Sequence, residues 1–123
     1  MKYDLEHKDI REAVAKLCTQ FKGFYWQECD SASRYPTDFV NALTEGGYLS
    51  ALIPEEFGGL GLSLSAGAAI LEEIHRSGGN AGACHAQMYT MGTVLRHGTE
   101  VQKRGYLPKI ASGELRLQAF GVT

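Results

Sequence analysis

Apolar side chains between positions 4 and 25 recur at intervals of three and four residues, the spacing of one face of an amphipathic α-helix. They are Ile10, Ala13, Val14, Leu17, Cys18, Phe21, Phe24 and Tyr25. A helix with such a face must bury it against other elements, so the pattern predicts a bundle of packed helices. We expect a polar loop to follow, from Glu28 to Arg34.

Four more helices are predicted by start and stop signals further along the chain. Their bounds are Pro36 and Gly46-Gly47, Ser63 or Ser65 and Gly78-Gly79, Asn80 and Gly98, and Thr99 and Ser112-Gly113. Proline and capping residues favour a first helical turn, and glycine accepts the left-handed backbone that ends a helix. We expect Pro108 to interrupt or restart the last helix, because proline lacks the N–H that a helix interior uses.

The segment from Tyr48 to Leu62 combines a proline with three glycines within four positions. Glycine permits backbone angles that are closed to other residues, so this segment reads as a loop. Apolar side chains at Phe57, Leu60 and Leu62 can pack it onto the bundle. The sequence therefore predicts an ordered loop and no flexible linker.

The last residues change character, because apolar and polar side chains alternate from Leu115 to Phe120. This alternation predicts a β-strand, and a lone strand is unstable without a partner. We therefore expect a β-domain to begin here and the chain to be cut shortly after. The predicted fold class is mainly α, an up-and-down bundle of about five helices with a short C-terminal β-strand from a truncated β-domain. The expected domains are residues 1–113 and 114–123.

Twelve Lys and Arg residues against fourteen Asp and Glu residues leave a net charge of −2 in 123 residues. This balance argues against nucleic-acid binding, which needs positive charge to neutralise phosphates. The longest stretch without a charged side chain, Phe57–Leu71, begins with many glycines and serines and predicts no membrane span. Three cysteines at unrelated spacings form neither a disulfide framework nor a zinc motif, so we expect a cytoplasmic protein without a metal site.

Small side chains follow the third and fourth predicted helices. They are Ala66, Gly67, Ala68 and Ala69 on one, and Ala81, Gly82, Ala83 and Ala86 on the other. Such residues allow two helices to pack closely, and they can also leave a slot for a slender apolar ligand. On composition alone, close packing is favoured. Met88 suits either a core or an apolar pocket, because methionine adapts to irregular gaps.

Two pairs of adjacent carboxylates, Glu55-Glu56 and Glu72-Glu73, are candidates for acid–base chemistry. Neighbouring positions on a helix point about 100° apart, so neither pair can converge on one substrate atom. The residues by themselves assign no catalytic group.

Four segments together resemble the acyl-CoA dehydrogenase family. They are residues 53–61 with the Gly-rich turn, residues 71–74, residues 98–114, and the segment Ala119-Phe120-Gly121-Val122-Thr123. Each segment is a weak signal alone, but their order and spacing match the family from about Leu43 to Thr123. The first forty residues resemble the family only as an amphipathic helix.

The resemblance implies the N-terminal helical domain of an FAD-dependent enzyme that oxidises an acyl-CoA thioester to its 2,3-enoyl form. In such enzymes a glutamate of a later domain takes the α-proton, so no catalytic residue is assigned in this chain. The resemblance places Phe120, Val122 and Thr123 against the flavin, and His85, Met88 and Tyr89 in the acyl pocket. A histidine at such a depth argues against a simple straight-chain substrate. The family also implies an electron-transferring flavoprotein as the electron acceptor and a homotetramer.

Two other functions remain open at this point. An acyl-CoA oxidase or a flavin monooxygenase can be built on the same scaffold and differs in how oxygen reaches the flavin. A free-standing helical interaction module would fold cooperatively and have its own partner. If the chain is a dehydrogenase fragment, we expect it to bind FAD weakly or not at all and to show no turnover. We then also expect exposed apolar faces on the third and fourth predicted helices, and self-association through them.

Overall fold

Residues 6–122 are described by the computed structural model, and they form six α-helices. The helices are α1 (Lys8–Cys18), α2 (Gly23–Ser31), α3 (Thr37–Glu45), α4 (Leu64–Arg76), α5 (Gly82–His97) and α6 (Glu100–Ser112). Single turns of 3₁₀-helix cover Tyr48–Ser50 and Glu55–Phe57. The predicted mainly helical fold is confirmed.

The single helix predicted over the first amphipathic stretch is in fact two helices, α1 and α2. The chain turns after Cys18, and the indole N–H of Trp26 donates to the backbone carbonyl of Phe21 at 3.1 Å across the turn. The turn lets the rings of Phe21 and Trp26 both pack edge-on against Phe39, at 5.3 and 4.8 Å between centroids. Burial of these aromatic rings outweighs continuation of one helix. Phe24, assigned to the buried face by the periodicity, is 78% exposed.

The predicted polar loop from Glu28 to Arg34 is wrong in its first half, because α2 continues to Ser31. Its buried residue Cys29 holds the last turn of the helix against the bundle. The backbone N–H of Arg34 then donates to the carbonyl of Cys29 at 2.8 Å and closes the turn that leads to α3.

Pro108 lies inside α6 and does not interrupt it. The proline ring faces solvent, while Leu107 and Ile110 on either side are fully buried. Their burial holds both halves of the helix on the core and offsets the missing backbone hydrogen bond.

The predicted strand does not form in residues 114–122, which have no regular secondary structure. A strand needs a partner, and the described part of the chain supplies none. Instead, Leu115 and Leu117 pack against buried residues of α6 and the second 3₁₀ turn.

Helix caps follow most of the predicted signals. Ser63 Oγ accepts from the N–H of Ala66, and Thr99 and Gln102 form a reciprocal capping box. Asn80 is not the N-cap that was predicted, because α5 begins at Gly82 and Ala81 is its N-cap residue. The side-chain oxygen of Asn80 accepts from the N–H of Gly82 at 2.8 Å.

The core has two parts, and the loop between α3 and α4 lies between them. The first joins α1, α3, α4 and α5 and includes Val14, Phe39, Leu43, Ile70, Ile74 and Cys84. The second joins the loop, α5 and α6 and consists of Ile53, Phe57, Met91, Leu107 and Ile110. Leu52 packs against both. Helix α5 therefore contributes buried residues to both parts of the core.

The loop of residues 51–62 is ordered, as predicted. The N–H of Gly61 donates to the carbonyl of Ile53, and the N–H of Leu62 donates to that of Ala51, each at 2.8 Å. A Cβ at Gly59 would overlap the backbone carbonyl of Ile53, so this close approach requires glycine.

Within residues 6–122, no helix has the length and apolar character needed to cross a bilayer. The same residues contain no cluster of three His, Cys, Asp or Glu side chains that could hold a metal ion.

Candidate functional site

A cleft of about 600 Å³ lies between α4 and α5, and the loop of residues 51–62 closes one side. Its lining is mostly apolar, and we call it the α4–α5 cleft. It is formed by Leu52, Leu62, Leu64, Gly67, Ala68, Leu71, His85, Met88, Tyr89, Met91, Gly92, Thr93, Leu95, Arg96 and Phe120. An apolar cleft of this size matches the usual dimensions of a small-molecule site.

The small residues of α4 and α5 serve both of the purposes that the sequence left open. Ala66 and Ala69 are buried on α4, which packs closely against α1. Gly67 and Ala68 on the neighbouring face line the cleft. A Cβ on Gly92 would meet no atom within 4 Å, so glycine there leaves open space. The lack of side chains at these positions is what makes the cleft hollow.

The three residues assigned to an acyl pocket lie together in this cleft. His85 and Tyr89 are one helical turn apart, and their rings meet edge to face at 5.2 Å between centroids. Met88 is buried beneath them and contributes to the core as well as to the cleft wall. The arrangement combines a flexible thioether with two amphipathic rings.

The residues assigned to flavin contact separate from one another. Phe120 reaches the cleft and stacks on Tyr89, with centroids 4.9 Å apart. Val122 is 88% exposed and does not line the cleft. Thr123 lies outside the described residues.

The C-terminal segment also carries unused backbone donors. Toward the other described residues, the N–H groups of residues 119–122 make no hydrogen bond. Exposed peptide donors next to an aromatic ring fit the edge of a planar, electron-accepting ring such as that of a flavin. The chemistry of this segment is therefore compatible with FAD.

Two residues of the site were missed from the sequence. Arg96 lies on the cleft face of α5, and the spacing of positions 85, 89, 92 and 96 could have revealed it. Gln118 carries hydrogen bonds to residues 83 and 35, which are distant in the sequence. No local pattern signals such a contact.

Ionisable groups around the cleft limit its chemistry. None of its lining residues carries a carboxylate. Cys84, a buried neighbour of His85 on α5, is no nucleophile, because burial raises the pKa of its thiol to about 12. In the described part of the chain the cleft can thus hold an apolar chain, but it offers no carboxylate base and no reactive thiol.

The sequence of this chain is similar to a protein-family model and to several curated proteins. The family model described as acyl-CoA dehydrogenase, N-terminal domain, matches residues 4–114. Isovaleryl-CoA dehydrogenase of Bos taurus is 32% identical over 114 residues, which cover 89% of this chain and 26% of that protein. The probable acyl-CoA dehydrogenase FadE25 of Mycobacterium tuberculosis is 33% identical over 109 residues, or 87% of this chain and 28% of that protein.

A further relative is (2S)-methylsuccinyl-CoA dehydrogenase of Cereibacter sphaeroides, which is 40% identical over 81 residues, or 65% of this chain and 15% of that protein. The chain thus spans about a quarter, or less, of the length of these curated relatives. Because the family model matches nearly the whole sequence, the chain belongs to the acyl-CoA dehydrogenase family and corresponds to its N-terminal domain.

Proposed function

We propose that this chain is the helical N-terminal part of an FAD-dependent acyl-CoA dehydrogenase, and that its α4–α5 cleft receives the fatty chain of an acyl-CoA thioester. The observation that carries the proposal is the cleft itself, which is apolar, holds about 600 Å³ and brings His85, Met88 and Tyr89 together. The names of the relatives, which specify acyl-CoA substrates, support this substrate class.

In this proposal the residues of the cleft bind and orient the acyl chain. Burial of an acyl chain against Leu71, Met88 and Gly92 removes apolar surface from water and fixes the chain along α5. His85, Thr93 and Arg96 bring polar groups to this face, and they favour a branched or functionalised chain over a plain straight one.

Phe120, Val122 and Thr123 are proposed to lie against the flavin. The free backbone donors of residues 119–122 support this placement, because they can hydrogen-bond to the polar edge of the ring. When bound, FAD supplies the two-electron acceptor that the protein side chains lack.

The remaining parts of the proposal concern the whole protein. We propose residues 1–113 as the helical domain and residues 114–123 as the start of a β-domain. An electron-transferring flavoprotein would accept the electrons, and the assembly would be a homotetramer. The three cysteines are free thiols, which suits a reducing compartment such as the cytoplasm.

The cleft is tested with a fluorescent polyene fatty acyl-CoA as the probe. Gly92→Leu fills the cleft, and we expect it to weaken binding at least about tenfold. Gly105→Leu on α6 is the matched control, because a Cβ there also meets no atom within 4 Å and lies outside the cleft. Both changes replace a helical glycine and should leave the fold intact. Equal affinity of the two variants would contradict the proposed acyl site.

The enzyme activity is tested on a longer protein that carries this chain. We expect purified protein to contain flavin and to reduce an artificial electron acceptor when an acyl-CoA is added. Straight-chain and branched acyl-CoAs of equal carbon number should be compared. Protein without flavin and without acyl-CoA-dependent reduction would refute the dehydrogenase activity.

A further inference from the structure

Residues 115–120 leave α6 and cross the helical bundle, held by side chains rather than by a sheet. The guanidinium of Arg116 donates to the hydroxyl of Thr44 at 3.0 Å and to the side-chain oxygen of Asn41 at 3.3 Å, both on α3. This fixes the beginning of the crossing. The position of its end, at Phe120, depends on the next polar side chain.

That side chain is Gln118, and both the oxygen and the nitrogen of its amide form hydrogen bonds. The hydroxyl of Tyr35 donates to its Oε1 at 3.0 Å, and its Nε2 donates to the backbone carbonyl of Ala83 at 3.2 Å. The side chain thus joins the loop before α3 to the first turn of α5. A carboxylate of the same shape could accept from Tyr35 but could not donate to Ala83.

Phe120 follows Gln118 by two residues and lines the α4–α5 cleft, whereas the Gln118 side chain contacts Tyr35 and Ala83 outside it. The Phe120 ring stacks on Tyr89, with 29° between the ring planes. The hydroxyl of Tyr89 donates to the backbone carbonyl of Gln118 at 3.4 Å. Tyr89 therefore contacts both Gln118 and the ring of Phe120. Phe120 remains 50% exposed, so the rest of the bundle holds its ring only loosely.

We propose that Gln118 is a positioning residue that holds Phe120 in place as one wall of the α4–α5 cleft and thereby sets the cleft's width. This deepens the proposed acyl-binding function and rests on it for its consequence. Gln118 itself does not line the cleft, so its effect on a bound acyl chain passes through Phe120.

The first test measures the position of the ring. With labelled Tyr and Phe in the 123-residue chain, we expect nuclear Overhauser contacts between the rings of Tyr89 and Phe120. Gln118→Ala and Gln118→Glu should remove or strongly weaken them. Gln27→Ala, the same change at an exposed position of α2, should leave them unchanged. Unchanged contacts in Gln118→Ala would overturn the proposal.

The second test is a double-mutant cycle with the fluorescent acyl-CoA probe. Loss of the Gln118 hydrogen bonds should weaken binding of the probe about fivefold in Gln118→Ala, the effect of about one hydrogen bond. In a Phe120→Ala background the same change should alter affinity less than about twofold, because the wall it positions is gone. Equal losses in both backgrounds would overturn the proposed route through Phe120.

The two tests distinguish a failure of the proposed acyl cleft from a failure of the proposed role of Gln118. A chain that binds no probe refutes the acyl cleft, while the ring contacts still decide whether Gln118 positions Phe120. Thermal unfolding and far-ultraviolet circular dichroism establish that each variant is folded. If Gln118→Ala does not fold, Tyr35→Phe removes only the hydrogen bond to Oε1 and should weaken the same ring contacts. Unchanged contacts in a folded Tyr35→Phe variant would then count against the proposal.

Discussion

The guanidinium of Arg11 on α1 lies 3.0 Å from a carboxylate oxygen of Glu73 on α4, and Glu73 is buried. The same guanidinium lies 2.7 Å from Glu72. The hydrogen bonds that Arg11 donates to the carboxylates of Glu72 and Glu73 raise the pKa of Arg11. This pairing joins the first helix to the helix that forms one wall of the cleft.

Removal of Arg11 should destabilise the fold more than removal of an exposed cation, because only 11% of its side chain is exposed. Arg11→Ala leaves the buried carboxylate of Glu73 with weaker compensation, so we expect a loss of about 1–3 kcal/mol. Lys8→Ala, which removes an exposed pair with Glu12 at 3.7 Å, should cost less than about 0.5 kcal/mol. Urea unfolding measures both. Equal effects would show that the buried pairing contributes no more than a surface one.

Stability should decline at alkaline pH because of Cys84. Burial raises the pKa of its thiol to about 12, whereas an unfolded cysteine titrates near about 8.5. Between these values the unfolded chain loses a proton that the folded chain keeps, so the free energy of unfolding falls as pH rises. Below this range both states keep the proton, so Cys84 adds no pH dependence to the free energy of unfolding.

The control for this effect is Cys84→Ser, which removes the titrating group. From pH 7 to pH 10 the unchanged chain should lose about 2 kcal/mol more stability than the serine variant. Urea midpoints at several pH values provide the measurement. Parallel pH profiles of the two proteins would contradict a protonated, buried thiol.

Glycines at two positions should respond in opposite ways to alanine. Gly59→Ala places a Cβ on the carbonyl of Ile53, and we expect a loss of more than about 2 kcal/mol. Gly105→Ala in α6 meets open space and should stabilise by about 0.5–1 kcal/mol. Thermal unfolding separates these outcomes. A stable Gly59→Ala variant would show that the loop can relax away from Ile53.

Apolar surface at the cleft mouth should cause self-association of this chain. Leu64, at the start of α4, is 68% exposed and lines the cleft. Leu64→Glu should shift the chain toward monomer, and an acidic residue suits the first helical turn. Val101→Glu is the matched control, because Val101 is 82% exposed in the first turn of α6 and lies outside the cleft. Sedimentation velocity over a range of concentrations measures the change, and equal behaviour of both variants would place the contact elsewhere.

Helix positions were predictable from the sequence wherever local chemistry determines them. The helix starts at Thr99 and at Ser63 or Ser65 needed only neighbouring residues to be predicted, and Thr99 and Ser63 are the caps in the structure. The break between α1 and α2 was missed, because it depends on the rings of Phe21 and Trp26 meeting Phe39 from another helix. Tertiary burial overrode the periodicity there.

The candidate site was predictable in a similar way. His85, Met88 and Tyr89 were found through the family resemblance, and their position in one cleft remained to be seen in the structure. The path of residues 115–120 was predicted as a strand from its alternation, but its contacts are with Tyr35, Asn41 and Thr44. Contacts between residues so far apart in sequence leave no periodic trace.

The division of small residues on α4 has a consequence for how such a domain can diversify. Ala66 and Ala69 are buried and Gly67 packs against Leu52, whereas Ala68 is exposed on the side of the cleft. Gly92 on the facing helix is likewise unconstrained by neighbours. Single exchanges at the hollow-facing positions can therefore shorten or reshape the space available to a ligand at little expense in folding, so ligand preference and structural integrity are able to change independently.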